Sequence, residues 1–266
     1  MAATSVFVVL LVVNASNIDK DLSWLRSQVG PAERVKIDDR SADTALIALQ
    51  GPRAAMVMAE MTGMNVRQMG YYHFARGEVA GVQALVSRTG YTGEDGFEVM
   101  TDNKDIAKVW AAALKAGAAQ GIEPCGLGAR DSLRIEACMP LYGHELDDET
   151  SALEAGLGFF VKLDKPAMNG MERLQRERSD GPSRKMVCLE LLDRGIPRQG
   201  YAILAEGRPV GAVTSGLLSP TLDKAIGMGF VPAAHAALGT ELAVDIRGRA
   251  VPARVVKRPF YRRAEG

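Results

Sequence analysis

Three glycines spaced by three, Gly90, Gly93 and Gly96, alternate with Tyr91 and Glu94 in the stretch Arg88-Thr89-Gly90-Tyr91-Thr92-Gly93-Glu94-Asp95-Gly96. Glycine permits positive φ and close approach of the backbone to a ligand, so this loop can hold an aromatic ring and a carboxylate against a planar molecule. A carboxylate suits a heterocycle with adjacent N–H donors, because two parallel hydrogen bonds fix orientation as well as strength. Pterins and purines both present such an edge. The alternative is a long hairpin turn whose glycines serve only backbone geometry.

A second cluster is Gly126-Leu127-Gly128-Ala129-Arg130-Asp131-Ser132-Leu133-Arg134. Read as a helix, it puts Arg130 and Arg134 one turn apart on the same face, where they can meet a carboxylate or a phosphate. The alternative is a solvated face of helix salt bridges. The glycine-rich start follows Glu123-Pro124-Cys125 and lacks the full GxGxxG spacing, which argues against a dinucleotide fingerprint. His144 lies between Gly143 and Glu145 with no serine or cysteine nucleophile set beside it, and reads as structural. Cys138 reads as a small apolar packing residue.

The elements that must position these groups follow from periodicity. The apolar run at 6–13 (VFVVLLVV) reads as a buried strand, with Ser16 or Asn17 capping the helix after it. In that helix Ile18, Leu22, Leu25 and Val29 recur at helical spacing, and Gly30-Pro31 is expected to stop it with a left-handed glycine. Residues 44–49 read as a strand, followed by a helix opened by Gly51-Pro52 and ending near Gly63. Short strands at 82–87 and 97–100 flank the glycine loop. Ile106, Val109, Trp110, Ala113 and Leu114 mark one face of a helix capped by Asp102 or Asn103 and ended by Gly117, and a further helix covers 127–138. The charged stretch 176–184 (RERSDGPSR) suits a linker. Beyond it Leu242, Val244 and Ile246 alternate with polar neighbours, and Glu206-Gly207-Arg208-Pro209 and Arg247-Gly248-Arg249 look like hairpin turns. Mixed α/β structure ahead of a small all-β barrel or sandwich is the predicted order.

Composition excludes several classes. At 266 residues, about two or three compact units are expected. Lys plus Arg equals Asp plus Glu at 32 each, so no global field draws the chain to nucleic acid or anionic lipid. The three cysteines form no CxxC pair and the three histidines no ligand spacing, which predicts no metal site and a reducing compartment. The run at 6–13 is too short to span a bilayer and lacks a basic flank, so a non-membrane, cytoplasmic protein is expected, or a mitochondrial-matrix one if the source is eukaryotic.

Taken together, VVNASN at 12–17, ALQGP at 48–52, SRTGYTGEDGFE at 87–98, GLGARDSLRIEACMPLYGHELD at 126–147, LEAGLGFFVKLDK at 153–165, GIPRQGY at 195–201 and VTSGLLSPTLDKAIGMGFV at 213–231 resemble the glycine cleavage system T protein family of aminomethyltransferases. Their joint order and spacing carry the resemblance nearly end to end.

That resemblance implies an α+β fold, a multi-domain ring around a folate channel with an all-β C-terminal domain. The implied units are 1–38 together with 143–180, an α/β piece interrupted in sequence; 39–142, a folate-binding α/β domain; and 181–266, the barrel. By similarity Glu94 is the carboxylate that holds the pterin, Arg130, Arg198 and Tyr261 are further ligand-side residues, and Asn14 and Tyr91 lie near the same channel. Phe159 stands where many relatives carry tryptophan, keeping an aromatic wall without an indole donor. The implied reaction takes an aminomethyl group from the dihydrolipoyl arm of the lipoylated H protein, gives the carbon to tetrahydrofolate as 5,10-methylenetetrahydrofolate, and releases ammonia. Relatives carry their catalytic aspartate in a segment before the VVNASN motif, at a place that falls upstream of Met1. The sequence is therefore read as N-terminally truncated, its catalytic residue is unassigned, and apolar surface is expected to be exposed. The other readings are a non-catalytic folate-binding protein and a related folate-dependent demethylase.

Overall fold

Three dipeptides close tight hairpins in the same way. Ala80-Gly81 (φ 53° and 70°), Glu206-Gly207 (51° and 77°) and Arg247-Gly248 (56° and 84°) each place two left-handed residues in succession. That turn carries the twist of the strands it joins, and its second position suits glycine. The computed structural model describes residues 8–31 and 33–263.

Helix α1 (Ile18–Gln28) precedes a four-stranded antiparallel sheet. The sheet consists of β1 (Thr44–Gln50), β2 (Phe74–Val79), β3 (Val82–Ser87) and β4 (Gly96–Asp102), in the order β1-β4-β3-β2. Helices α2 (Ala54–Met61) and α3 (Ile106–Gly117) bury their apolar stripes on this sheet. Val57, Met58 and Met61 meet Val86, Phe97, Val99, Val109 and Ala113 in one core. Burying each such side chain contributes about 1.5–3 kcal/mol before chain entropy is set against it. Register decides the next step: β1 pairs with β4 so that Gln50 faces Gly96, at the mouth of the 88–96 loop.

Helices α4 (Leu127–Glu136) and α5 (Met171–Asp180) lead to a closed six-stranded barrel. Its strands are β5 (Arg184–Leu191), β6 (Ala202–Ala205), β7 (Arg208–Ser219), β8 (Lys224–Pro232), β9 (Glu241–Ile246) and β10 (Arg249–Val256), closing in the order β10-β5-β8-β7-β6-β9. Val187, Leu189 and Leu191 of β5 fill the barrel with Ile203, Val231, Val244 and Val251. The intervening Met186 and Cys188 point outward and pack with Ile135 of α4. The pleat alternates and both faces of β5 are covered, so the strand reads as an unbroken apolar run. In β7 the register shifts between Val213 and Ser215. The bulge changes the parity of the pleat: Val213 lies inside the barrel, whereas Leu217 joins the outer cluster against α4.

Several sequence expectations need correction. Residues 6 and 7 of the expected first strand lie outside the described residues. Residues 8–13 belong to neither sheet; 8–12 are exposed, Val8 by 85%, and Val13 is half-buried. An apolar β-branched run needs a strand edge to pair with, and none of the described strands pairs with it. Met1, the reference point for the upstream catalytic aspartate, also lies outside the described residues. Asn17 occupies the N-cap position of α1, as expected, but makes no side-chain cap bond; Asn14 caps the 3-10 turn Ala15–Asn17 before it, its side-chain oxygen accepting from the Ser16 N–H. α1 ends through an extended Val29, not a left-handed glycine. The α3 helix does end at Gly117, as expected; the chain then tightens into a 3-10 turn at Ala118–Gln120 and reverses through left-handed Gly121 (φ 74°). The expected linker 176–184 is mostly the end of α5, whose Glu177 and Arg173 are paired; only Gly181-Pro182-Ser183 separates it from β5. Strand β2 carried no clear sequence signal, since only Val79 of its six residues is buried. No helix among the described residues is long and apolar enough to cross a membrane.

Candidate functional site

The 88–96 loop is held at its base by charge. The Arg88 guanidinium donates to both oxygens of Asp95, at 2.9 and 2.8 Å, and to the Met69 carbonyl at 2.7 Å. This fork holds the Asp95 carboxyl below the usual aspartate range. Inside the loop the Gln50 amide donates to the carbonyls of Thr89 (3.1 Å) and Phe97 (3.3 Å) and accepts from the Thr92 hydroxyl (3.1 Å). A β-carbon at Gly90 would lie 1.9 Å from the Gln50 side-chain oxygen, and one at Gly96 2.5 Å from it. What approaches these two glycines is therefore a side chain of the protein itself. What the loop can offer a ligand is the side chains it projects.

Of those, Tyr91 donates its hydroxyl to the Pro140 carbonyl at 2.5 Å, and the Arg130 guanidinium lies over its ring at 4.5 Å from the centroid. Burial pushes the Tyr91 hydroxyl above the usual tyrosine range, so it stays a donor. Glu94 accepts a hydrogen bond from the Tyr261 hydroxyl at 2.5 Å, and this contact raises the tyrosine's pKa. Tyr261 is brought there by its own backbone, whose N–H donates to the Glu136 carbonyl at the end of α4 (2.9 Å). The second oxygen of Glu94 has no hydrogen-bond partner among the described residues. Each carboxylate oxygen has two lone pairs, so the group keeps accepting capacity for a further pair of N–H donors.

A cavity of about 330 Å³ opens beside this loop, lined among others by Asn14, Asp21, Tyr91, Arg130 and Tyr142. Asn14 uses its side-chain oxygen on Ser16, leaving the amide N–H groups as the donors it can offer. Of the lining residues, Tyr142 is held from outside the cavity: the Lys20 ammonium contacts its hydroxyl and, at 2.6 Å, Asp148, to which the Tyr142 hydroxyl also donates at 2.5 Å. The Asp148 carboxylate, then Tyr142, raise the Lys20 pKa, so the lysine stays cationic.

The structure thus brings Asn14, Tyr91 and Arg130 to one cavity and pairs Glu94 with Tyr261 in the adjoining part of the loop. Arg198 stands apart. It is exposed on the β5–β6 loop, where the next residue, Gln199, donates to the Gly143 carbonyl at 3.1 Å. It therefore borders the 141–146 segment, whose Leu141 and Tyr142 wall the cavity. Arg134 does not act beside Arg130. It is buried and spent on Asp131, Glu145 and Ser215, each at 2.8 Å. His144 Nδ1 lies 2.9 Å from the Thr214 carbonyl and 3.2 Å from the Ser215 hydroxyl. Phe159 is 80% exposed, edge-on to Phe160, and lines no part of the cavity. Sequence reasoning missed Lys20, Asp21, Tyr142 and Asp148. Asn17 and Asp21 are four residues apart, a same-face spacing that could have flagged Asp21, but the Lys20–Asp148 pair spans 128 positions and has no local signal. Among the described residues no cluster of three or more metal-type side chains occurs.

Comparison with known proteins adds a second kind of observation. A family profile described as the GCVT N-terminal domain matches residues 3–165, and one described as the glycine cleavage T-protein C-terminal barrel domain matches residues 184–262. The chain is 52% identical over 258 residues to an aminomethyltransferase of Geobacillus kaustophilus (strain HTA426), covering 96% of this chain and 70% of the relative. It is 52% identical over 259 residues to an aminomethyltransferase of Symbiobacterium thermophilum, covering 95% and 69%. Among solved structures, the glycine cleavage system aminomethyltransferase T from Bartonella henselae superposes with a TM-score of 0.81 at 32% identity, over 93% of this chain and 67% of that one. The chain therefore spans about seven tenths of the length of the curated relatives it matches.

Proposed function

The chain belongs to the glycine cleavage T-protein family, and from that premise we infer that it is a tetrahydrofolate-dependent aminomethyltransferase. Its reaction moves the methylene carbon from the aminomethyl-dihydrolipoyl arm of H protein to tetrahydrofolate and releases ammonia. One observation carries the site assignment: residues far apart in sequence, Asn14, Tyr91 and Arg130, share a cavity next to a half-buried carboxylate, Glu94, that retains an unpaired oxygen.

The residues present fit a reduced folate. The cavity lies at the small end of the ~300–1,000 Å³ range of ligand sites, which suits a bicyclic head rather than a whole folate with its tail. Glu94 supplies the acceptor for the donor edge of a pterin, and the Tyr261 hydroxyl keeps that carboxylate oriented. Tyr91 gives a flat apolar wall. Arg130, held over the Tyr91 ring, and exposed Arg198 supply cations for the carboxylate-bearing tail. Asn14 offers amide donors. Tetrahydrofolate, when bound, supplies the nitrogens that accept the transferred carbon. The protein's own contribution is to orient the ring system, exclude water from it and hold the Glu94 carboxylate in place.

We assign three units about this cavity: 1–38 with 143–180, 39–142, and 181–266, forming a ring around the folate. Contacts across the first pair support the assignment, since Lys20 reaches Asp148 at 2.6 Å and Asn169 reaches Gln28 at 3.5 Å.

The test is calorimetric titration with tetrahydrofolate. Two hydrogen bonds to a charged acceptor contribute about 1.5–3 kcal/mol each, so Glu94→Ala is expected to weaken binding by roughly 100-fold or more. Unchanged affinity in a folded Glu94→Ala protein defeats the pterin contact. H-protein-dependent formation of methylenetetrahydrofolate tests the transfer itself.

A further inference from the structure

Cys138 and Cys188 are 50 positions apart in sequence, yet their sulfurs lie 3.1 Å from each other with both thiols free. They meet because α4 ends against the outer face of β5, where Ile135, Cys138, Met186 and Cys188 share an apolar cluster. Packing alone does not call for this arrangement. Cys138 has φ 54°, a left-handed backbone conformation that disfavours any β-carbon and suits glycine. A side chain is carried there despite the strain, and it is a thiol touching another thiol. Beside the pair lies a cavity of about 230 Å³ bordered by Cys138, Gly156, Met186 and Arg258, wide enough to admit a small oxidant and edged by a guanidinium. The two sulfurs are also made unequal. Either sulfur can donate in this contact; it draws the Cys138 thiol below the usual range, while the same contact and burial push Cys188 up.

We propose that Cys138 and Cys188 are an oxidisable pair that closes to an intramolecular disulfide when the protein meets peroxide. The Cys138 thiolate attacks one peroxide oxygen and the O–O bond breaks, leaving a sulfenic acid and hydroxide, which leaves as water with the thiol's proton. The Cys188 sulfur then attacks the Cys138 sulfur. The S–S bond forms, the S–O bond breaks, and the hydroxyl departs as a second water with the Cys188 proton. Two electrons pass from the two thiols to peroxide. Reaching a bond of about 2.0 Å requires an approach of roughly 1 Å, within the reach of side-chain rotation. The bond pins the end of α4, the helix carrying Arg130, to the barrel.

The experiment treats the folded chain with excess hydrogen peroxide. Expected are a mass loss of about 2 Da at the pair, a fall in titratable thiols from three to at most one, and a tryptic peptide 135–162 joined to 186–194. A rise in thermal midpoint on the order of 10 °C that dithiothreitol reverses is also expected. Cys188→Ser is expected to stop at a sulfenic acid on Cys138 that dimedone captures. Cys138→Gly relieves the left-handed strain, keeps the fold and removes the response. Retention of the Cys138 and Cys188 thiols in peroxide-treated wild type, or linkage only through exposed Cys125, overturns the proposal.

Discussion

Arg134 and Glu145 are 1% and 0% exposed and joined at 2.8 Å, and they tie three parts of the molecule together. Arg134 reaches from α4 to Glu145 in the 141–146 segment and to Ser215 in β7, while Glu145 also accepts from the Leu141 N–H (3.0 Å) and the Thr214 hydroxyl (2.6 Å). Consider Arg134→Met, which keeps the length and apolar volume of the side chain and removes the charge. Glu145 is then left deep in the protein with two neutral donors and no cation. Breaking a buried pair by removing one partner costs about 3–5 kcal/mol, most of it the burial of an uncompensated charge. For a chain of this size, roughly 2–4 °C of midpoint per kcal/mol turns that into a fall of roughly 6–20 °C. The double variant Arg134→Met/Glu145→Met removes both charges, and is expected to recover most of the loss, because apolar residues of similar volume replace buried ion pairs at little cost. Urea unfolding of the wild type, both single variants and the double variant gives the coupling energy directly. The reasoning is refuted if Arg134→Met lies within about 1 kcal/mol of wild type, or if the double variant is no more stable than either single one.

Other expectations follow from neighbouring contacts. Tyr261→Phe removes the donor that orients Glu94 but leaves the carboxylate, so tetrahydrofolate affinity in the same titration should weaken only about fivefold, far less than in Glu94→Ala. Gly90→Ala sets a methyl on the Gln50 amide and must displace it from its three partners. A loss of about 1–3 kcal/mol in unfolding free energy is expected, and the Gln50→Ala/Gly90→Ala double variant should be no less stable than Gln50→Ala alone. Because Arg88 lowers the Asp95 pKa in the folded state, the stability from this pair is full above the unfolded aspartate value of about 3.9 and drains as pH falls through the lower folded value. Thermal midpoints of wild type and Arg88→Met should therefore differ at pH 6 and converge towards pH 2.

Much of the β structure was legible because its signals are local. The Glu206-Gly207 and Arg247-Gly248 hairpin turns occur where the sequence places them, and the alternation of Leu242, Val244 and Ile246 points into the barrel. The strands on either side of the glycine loop were legible for the same reason, with β3 and β4 close to their expected bounds. The misreadings share a cause as well. Residues 6–13 have the composition of a buried strand, but a strand exists only where another edge accepts its hydrogen bonds, and composition does not report that edge. The charged 176–184 stretch resembled a linker because a helix exposed on most faces is polar almost throughout.

By itself the sequence determined the kinship, the barrel with its tight hairpins, and a loop able to carry an aromatic and a carboxylate. Those rest on residue types at fixed short spacings, which folding cannot rearrange. Only the tertiary structure decided which arginine lines the cavity, since Arg130 and Arg134 are one turn apart and chemically identical. Packing buried Arg134 against Glu145 and Ser215 and left Arg130 over Tyr91. It likewise brought Cys138 to Cys188, Tyr261 to Glu94 and Lys20 to Asp148, pairings separated by 50, 167 and 128 positions. Contacts at such separations are set by how helices and sheets close on one another, and no local pattern of residues encodes them.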